Sequence, residues 1–231
     1  MTIHCVNNPA AVAAAAAEWI HSLVTAHTGR FSICLSGGST PRLLYEKLAH
    51  EAVLPWERTH WFFGDERFVS HDHRDSNYAM VDRSMFSSAA IPVANIHPIP
   101  TAGKPEDCAA AYHRELLAYY GLNRLEADRP LFDIVLLGLG EDGHIASLFP
   151  GVAALKVKER LAVAVKGARP ETRISLTYPA LESAKNVAFL VTGASKRNIL
   201  EQVWRGDDLP ASHLRPLGAT HWFIDGAADP R

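Results

Sequence analysis

The sequence predicts an α/β fold, with an open, mostly parallel sheet flanked by helices on both faces. Three observations carry this. Short apolar runs alternate along the whole chain with segments whose apolar residues recur at a period near 3.6. Runs such as Ile134-Val135-Leu136-Leu137 are apolar at every position, as strands are when helices cover both faces of a sheet. Polar, glycine-containing turns follow several of these runs, where a parallel sheet opens into its ligand-binding loops. The chain has 231 residues, 48% hydrophobic and 21% charged, which excludes disorder and is long enough to bury a sizeable core. No repeat or low-complexity linker divides it, so one domain over residues 1–231 is expected.

Asn8 and Pro9 supply an N-cap and a first-turn proline, and Val12, Ala16, Trp19, Ile20 and Leu23 keep helical spacing until Gly29. Residues 31–35 form a strand closed by Ser36-Gly37-Gly38-Ser39-Thr40-Pro41, after which Leu43, Leu44, Lys47 and Leu48 resume the helical period. A strand at 59–63 precedes a helix from about 76 to 86, a short strand at 95–99, a helix at 105–120 and a strand at 132–137. The second half carries strands at 161–165, 173–177 and 187–191, a helix at 195–204 and a last strand at 221–224.

Lys and Arg number 23 against 25 Asp and Glu, a formal net charge of −2. That balance gives no footprint for nucleic acid or an anionic membrane, so any anionic partner must be held by a local site. Residues 10–17 are nearly all alanine, but no Lys or Arg precedes them and Glu18 and His21 interrupt the run, so it is not a secretion signal. No stretch approaches the roughly 18 uninterrupted apolar residues of a membrane span. The three cysteines, Cys5, Cys34 and Cys108, form no C-x-x-C pair, which argues against a disulfide framework. A soluble, cytoplasmic protein is expected, as a monomer or weak homodimer.

Three loops carry polar chemistry. Ser36 to Thr40 follows a strand and opens a helix, so its backbone N–H groups and the helix N-terminus suit a phosphate. It is not a Walker A loop, because no lysine follows the glycines. A plain strand-to-helix turn capped by Ser39 or Thr40 suits the same residues. Gly64-Asp65-Glu66-Arg67 follows Trp61-Phe62-Phe63. It reads as a solvated turn, or as an arginine held to face a developing negative charge.

The third loop, Gly138-Leu139-Gly140-Glu141-Asp142-Gly143-His144, satisfies G-x-G-x-x-G. The dinucleotide motif needs a crossover helix immediately afterwards, and Pro150-Gly151 stops the chain after barely one turn. No nicotinamide cofactor is therefore expected. His144, with Asp142 two residues away, suits general-base work, or caps a short helix. His71 and His73 stand two apart without a further ligand at metal spacing nearby, so a solvated loop is expected there and no metal. Arg173 and Lys196 lie at the end of the sheet where a ligand sits, and either reaches a phosphate there or is simply exposed.

Together these loops resemble the 6-phosphogluconolactonases of the glucosamine-6-phosphate isomerase/6-phosphogluconolactonase family. The match runs from Ser36-Gly37-Gly38-Ser39 through Asp65-Glu66-Arg67-x-Val69 and Asp75-Ser76-Asn77. It continues in Gly138-x-Gly140-x-Asp142-Gly143-His144-x-x-Ser147-Leu148-Phe149-Pro150, Arg173-Ile174-Ser175-Leu176-Thr177 and Trp222-Phe223-Ile224-Asp225. Ser70 stands where the family commonly has proline and Ile145 where threonine is frequent. The sister glucosamine-6-phosphate deaminases usually carry F-N-E-P and M-D-E-Y, where this chain has Ser147-Leu148-Phe149-Pro150 and Arg67.

The resemblance implies a modified Rossmann-like fold and hydrolysis of 6-phosphoglucono-δ-lactone in the oxidative pentose phosphate pathway, with no cofactor. It implies His144 as base, Asp142 orienting it, Arg67 facing the carbonyl oxygen, and the phosphate held by Ser36, Gly37, Gly38, Ser39, Thr40, Arg173 and Lys196. Asp65 is a further candidate for substrate contact. A deaminase-like enzyme and a non-catalytic sugar-phosphate sensor are the alternatives.

Overall fold

The structure is a computed structural model describing residues 1–51 and 54–231. Its strands are β1 (Thr2–Val6), β2 (Phe31–Leu35), β3 (Thr59–Phe63), β4 (Asp65–Arg67), β5 (Ile96–His97), β6 (Phe132–Leu137), β7 (Ala162–Val165), β8 (Arg173–Leu176), β9 (Ala184–Val191) and β10 (Ala219–Asp225). The α-helices are α1 (Pro9–Ala26), α2 (Ser39–Glu51), α3 (Asn77–Val81), α4 (Pro105–Tyr120), α5 (Tyr178–Glu182), α6 (Arg197–Arg205) and α7 (Pro210–His213). Seven strands make one sheet in the order β1-β10-β9-β6-β2-β3-β5, and every neighbouring pair in it is parallel. The helices flank it, as the alternating pattern predicts. No described helix is long and apolar enough to cross a membrane.

The chain builds this sheet outward from β2, first through β3 to β5 on one side, then through β6, β9 and β10 on the other. Loops leaving β2 and β6 therefore diverge, which opens a crevice beyond the carboxyl ends of those strands. Buried aromatic side chains hold the floor of that crevice. Tyr45 on α2 accepts from Ser36 N at 2.9 Å and donates to Ser36 O at 2.7 Å. Tyr112 on α4 does the same for Phe63, at 2.8 and 3.1 Å. Burial pushes both phenols up, so both stay neutral and keep donating.

The structure corrects the expectation of one sheet. β4, β8 and β7 form a separate antiparallel sheet in that order, so the strands expected at 161–165 and 173–177 exist but lie outside the parallel sheet. Apolar runs report burial, not which partner buries them. Gly64 joins the two sheets. Its N–H donates to Leu35 O in the parallel sheet and its carbonyl accepts from Leu176 N in the small one, each at 2.8 Å. A Cβ at Gly64 would sit 3.3 Å from Leu35 O.

Other departures are local. β1 escapes the sequence pattern because Thr2-Ile3-His4-Cys5-Val6 is a half-exposed edge strand with no fully buried residue. The helix expected at 76–86 is α3 followed by a π-helical turn at Asp82–Phe86.

Candidate active site

A cavity of about 290 Å³ lies beyond the carboxyl ends of β2, β6 and β9. The turn after β2 contributes Ser36, Gly37, Gly38, Ser39 and Thr40, β4 contributes Asp65 and Arg67, and the loop after β6 contributes Gly140 and His144. Arg173 enters from β8, and Lys196 from the turn that follows β9. All the site residues expected from sequence line this one cavity except Asp142, which stands behind His144.

His144 and Asp142 form a hydrogen-bonded pair through Nδ1 and Oδ1, and Asp142 Oδ1 also accepts from His144 N at 3.2 Å. Burial raises the Asp142 carboxyl, but the bonds and charge of His144 and the charge of Arg169 outweigh it, so its pKa is lowered. The loop achieves this contact through its glycines. A Cβ on Gly140 would lie 1.9 Å from His144 Nδ1 and 2.7 Å from Asp142 Oδ1. Gly143 adopts φ +78° against Leu209, and Ala146 holds φ 47°, the only non-glycine residue described with positive φ. Backbone strain in a non-glycine residue costs about 1–3 kcal/mol and collects at functional sites. No crossover helix follows Gly138 and Gly140; the next helical turn is the 3-10 turn Ala153–Lys156.

Asp65-Glu66-Arg67 is a buried strand, not a solvated turn. Glu66 is 1% exposed and accepts from Arg67 N, Asn77 N, Tyr78 N and Ser76 Oγ at 2.7–3.0 Å. Burial pushes its carboxyl up, and these four bonds pull in the opposite direction. The carboxylate pins the start of α3 to β4, next to Arg67. Arg67 Nη1 donates to Asp75 O at 2.6 Å, while Arg67 Nε and Arg173 Nε are buried without a hydrogen-bond partner among the described residues. Arg173 contacts Glu171 and lies 3.9 Å from Asp65 Oδ2. Asp65 lines the cavity, yet its carboxylate accepts from Ser147 Oγ at 2.5 Å and from Asn77 Nδ2 at 3.4 Å.

On the opposite wall, α2 begins at Ser39, two residues earlier than the proline implies, and Gly38 turns with φ +115°. Ser36 spends its N–H on Tyr45, so the backbone N–H groups offered to an anion here are those after it, and Ser36 itself offers its hydroxyl. Lys196 has no carboxylate partner among the described residues. Asp225 fixes the start of its turn by accepting from Gly193 N at 3.0 Å and from Ala228 N at 2.9 Å.

Asn77 and Thr192 also line the cavity; sequence reasoning gave Asn77 no role and missed Thr192. Thr192 Oγ1 lies 2.7 Å from Thr40 Oγ1, and its place directly after β9 was the available signal. The imidazoles of His71 and His73, read from sequence as part of a solvated loop, each meet the backbone of the protein itself. His71 Nε2 lies 2.8 Å from Ile99 O, and His73 Nδ1 accepts from Asp75 N at 3.1 Å. Among the described residues no group of three or more His, Cys, Asp or Glu side chains is placed to hold a metal ion.

Residues 7–222 match the model of the family described as glucosamine-6-phosphate isomerases/6-phosphogluconolactonase. The chain belongs to this family. A 6-phosphogluconolactonase of Nostoc sp. is 45% identical over 206 residues, covering 87% of this chain and 84% of that protein. One from Synechocystis sp. is 44% identical over 209 residues, covering 88% and 85%. The crystal structure of 6-phosphogluconolactonase from Thermotoga maritima superimposes with a TM-score of 0.85 at 31% identity, covering 97% of this chain and 99% of that one.

Proposed function

We propose that this chain hydrolyses 6-phospho-D-glucono-1,5-lactone to 6-phospho-D-gluconate, a step of the oxidative pentose phosphate pathway. The observation that carries the proposal is a single cavity holding an imidazole backed by a carboxylate, the cations Arg67, Arg173 and Lys196, and a glycine turn at a helix N-terminus. Relatives named for that activity support it.

The cyclic ester needs a base for water and a cation for the carbonyl oxygen. With Nδ1–H donated to Asp142, the lone pair of the His144 ring is at Nε2, which takes a proton from water. Attack on the carbonyl carbon puts negative charge on its oxygen, which Arg67 faces. A donor in that role supplies about 3 kcal/mol, and general-base help contributes about 10²–10⁴ in rate. Collapse breaks the bond to the ring oxygen, His144 returns its proton to that oxygen, and the acid product ionises. Ser36 to Thr40, Arg173 and Lys196 hold the phosphate and so fix the carbonyl between His144 and Arg67. Asp65 closes the floor beside the sugar.

The test is acid release from freshly generated lactone, with glucosamine 6-phosphate as competing substrate. Acid release without ammonia from the amino sugar is expected. Ammonia release without lactone hydrolysis would overturn the proposal in favour of deamination.

A further inference from the structure

Asp142 is held from two sides. Its Oδ1 faces His144, and its Oδ2 accepts from Arg169 Nη2 at 3.0 Å. Arg169 lies between β7 and β8, in the loop of the small sheet, so this contact ties that sheet to the loop after β6. The guanidinium also lies over Phe149, 4.6 Å from its centroid, and the Phe149 ring is 4.4 Å from the His144 ring. His144, Asp142, Arg169 and Phe149 thus form a closed circuit in which each side chain touches the next. A second cavity, of about 630 Å³, opens on the outer side of Asp142 and is lined by Asp142, Phe149 and Arg169. Without Arg169, the outer oxygen of Asp142 would face solvent there and the carboxylate would be held through Oδ1 alone.

We propose that Arg169 is a positioning residue for lactone hydrolysis, fixing Asp142 from outside so that the His144 ring stays seated. This inference rests on the proposed role of His144 as base. An exposed arginine–carboxylate pair adds little to stability, and the Arg169 side chain is 43% exposed. Its effect is therefore on geometry and charge at His144. A carboxylate that orients an imidazole needs its own second partner, as hydrogen-bonded ligands do around a metal. Removing a nearby cation also removes its repulsion of any positive charge placed on the ring. The other charged groups facing His144 are Asp65, Arg67, Arg173 and Lys196, which line its cavity. All are left intact by changes at Arg169.

The experiment compares Arg169→Met, which keeps an apolar stem over Phe149, with Arg169→Lys, wild type and His144→Ala, measuring lactone hydrolysis from pH 5 to 8. For Arg169→Met we expect kcat to fall about tenfold with KM within about twofold. The acid limb of the kcat/KM profile should move up by about half a pH unit, the scale of a solvent-screened charge. Arg169→Lys should restore most of the limb, since it restores the charge, and less of kcat, since it lacks the planar fork. The imidazole signals of His144, followed by NMR through the same pH range, should move with the limb. If Arg169→Met matches wild type in kcat and limb while His144→Ala is inactive, the bridge is only a surface ion pair and the inference fails. A limb displaced downward overturns it equally. Should His144→Ala keep full turnover, the role of His144 as base fails instead, and the NMR titration still decides whether Arg169 acts on the ring.

Discussion

Arg67 and Arg173 stand directly opposite each other across the antiparallel pair of β4 and β8, and both line the same cavity. Opposed like charges destabilise a strand pair, so a site that brings two guanidinium groups together is built to receive an anion. Asp65 and Glu171 offset part of the repulsion. A phosphorylated lactone carries one lasting anion, the phosphate, and acquires a second only as water attacks. The two arginines are proposed to serve different ones.

That assignment predicts different kinetics from neighbouring residues. Arg67→Ala should lower kcat by about 10²–10³ with little change in KM. Arg173→Ala and Lys196→Ala should chiefly raise KM, by about 10- to 100-fold, the scale of a charge-assisted hydrogen bond. A lactone without the phosphate gives the cross-check, being nearly indifferent to Lys196→Ala yet sensitive to Arg67→Ala. Equal losses on both substrates for Lys196→Ala would show that the lysine belongs to the chemistry or the fold.

His144→Ala should cut turnover by about 10²–10⁴ while the protein stays folded and binds 6-phosphogluconate. Asp142→Asn should retain binding and lose turnover, because an amide in place of the carboxylate no longer secures Nδ1 as the donor. Binding measured by calorimetry separates the two effects. Turnover like wild type in either variant removes that residue from the mechanism.

Gly140→Ala tests the loop itself. The new methyl meets the ring of His144, so the ring must leave Asp142, whereas Gly218→Ala drives a methyl to 1.9 Å from the backbone oxygen of Lys185. The first should lose turnover with its melting temperature nearly unchanged. The second should lose stability, since backbone cannot yield as a side chain does. A Gly140→Ala protein with full activity would mean that the contact of His144 with Asp142 is dispensable.

Much of this was legible in the residues. Glycine turns after apolar runs marked the loops after β2 and β6, because a parallel sheet leaves few other places for them. Asp65-Glu66-Arg67 misled, for a physical reason. Three consecutive charges normally mean solvent, and only the tertiary structure supplies the four donors that let Glu66 be buried beside Arg67. Arg169 carried no signal at all, since an arginine in a polar loop acquires meaning only from the carboxylate it meets. The two-sheet division was hidden for the same reason, because register between β4 and β8 is set by partners far apart in sequence.

The last prediction concerns acid stability and lies away from the site. His60 on β3 and His97 on β5 are joined through Nδ1 and Nε2 at 3.0 Å, and His97 Nδ1 lies 2.8 Å from Glu115 Oε1. Burial, then the charges of His97 and Arg30, push the His60 imidazole down to about 4. In the unfolded chain an imidazole titrates near pH 6.5. Between these values the unfolded state binds more protons than the folded one, so stability from His60 is complete above about pH 6.5 and is lost as pH falls toward 4. Below that, both states are protonated and the loss levels off. His4, His113 and His221, all lowered chiefly by burial, act in the same direction and must be allowed for. His60→Phe keeps a ring against Tyr119 and removes the titration. Calorimetric melting temperatures at pH 7.5 and pH 5 should therefore differ less in His60→Phe than in wild type, with the remaining difference belonging to the other histidines. An identical drop in the two proteins would mean that His60 does not govern acid stability.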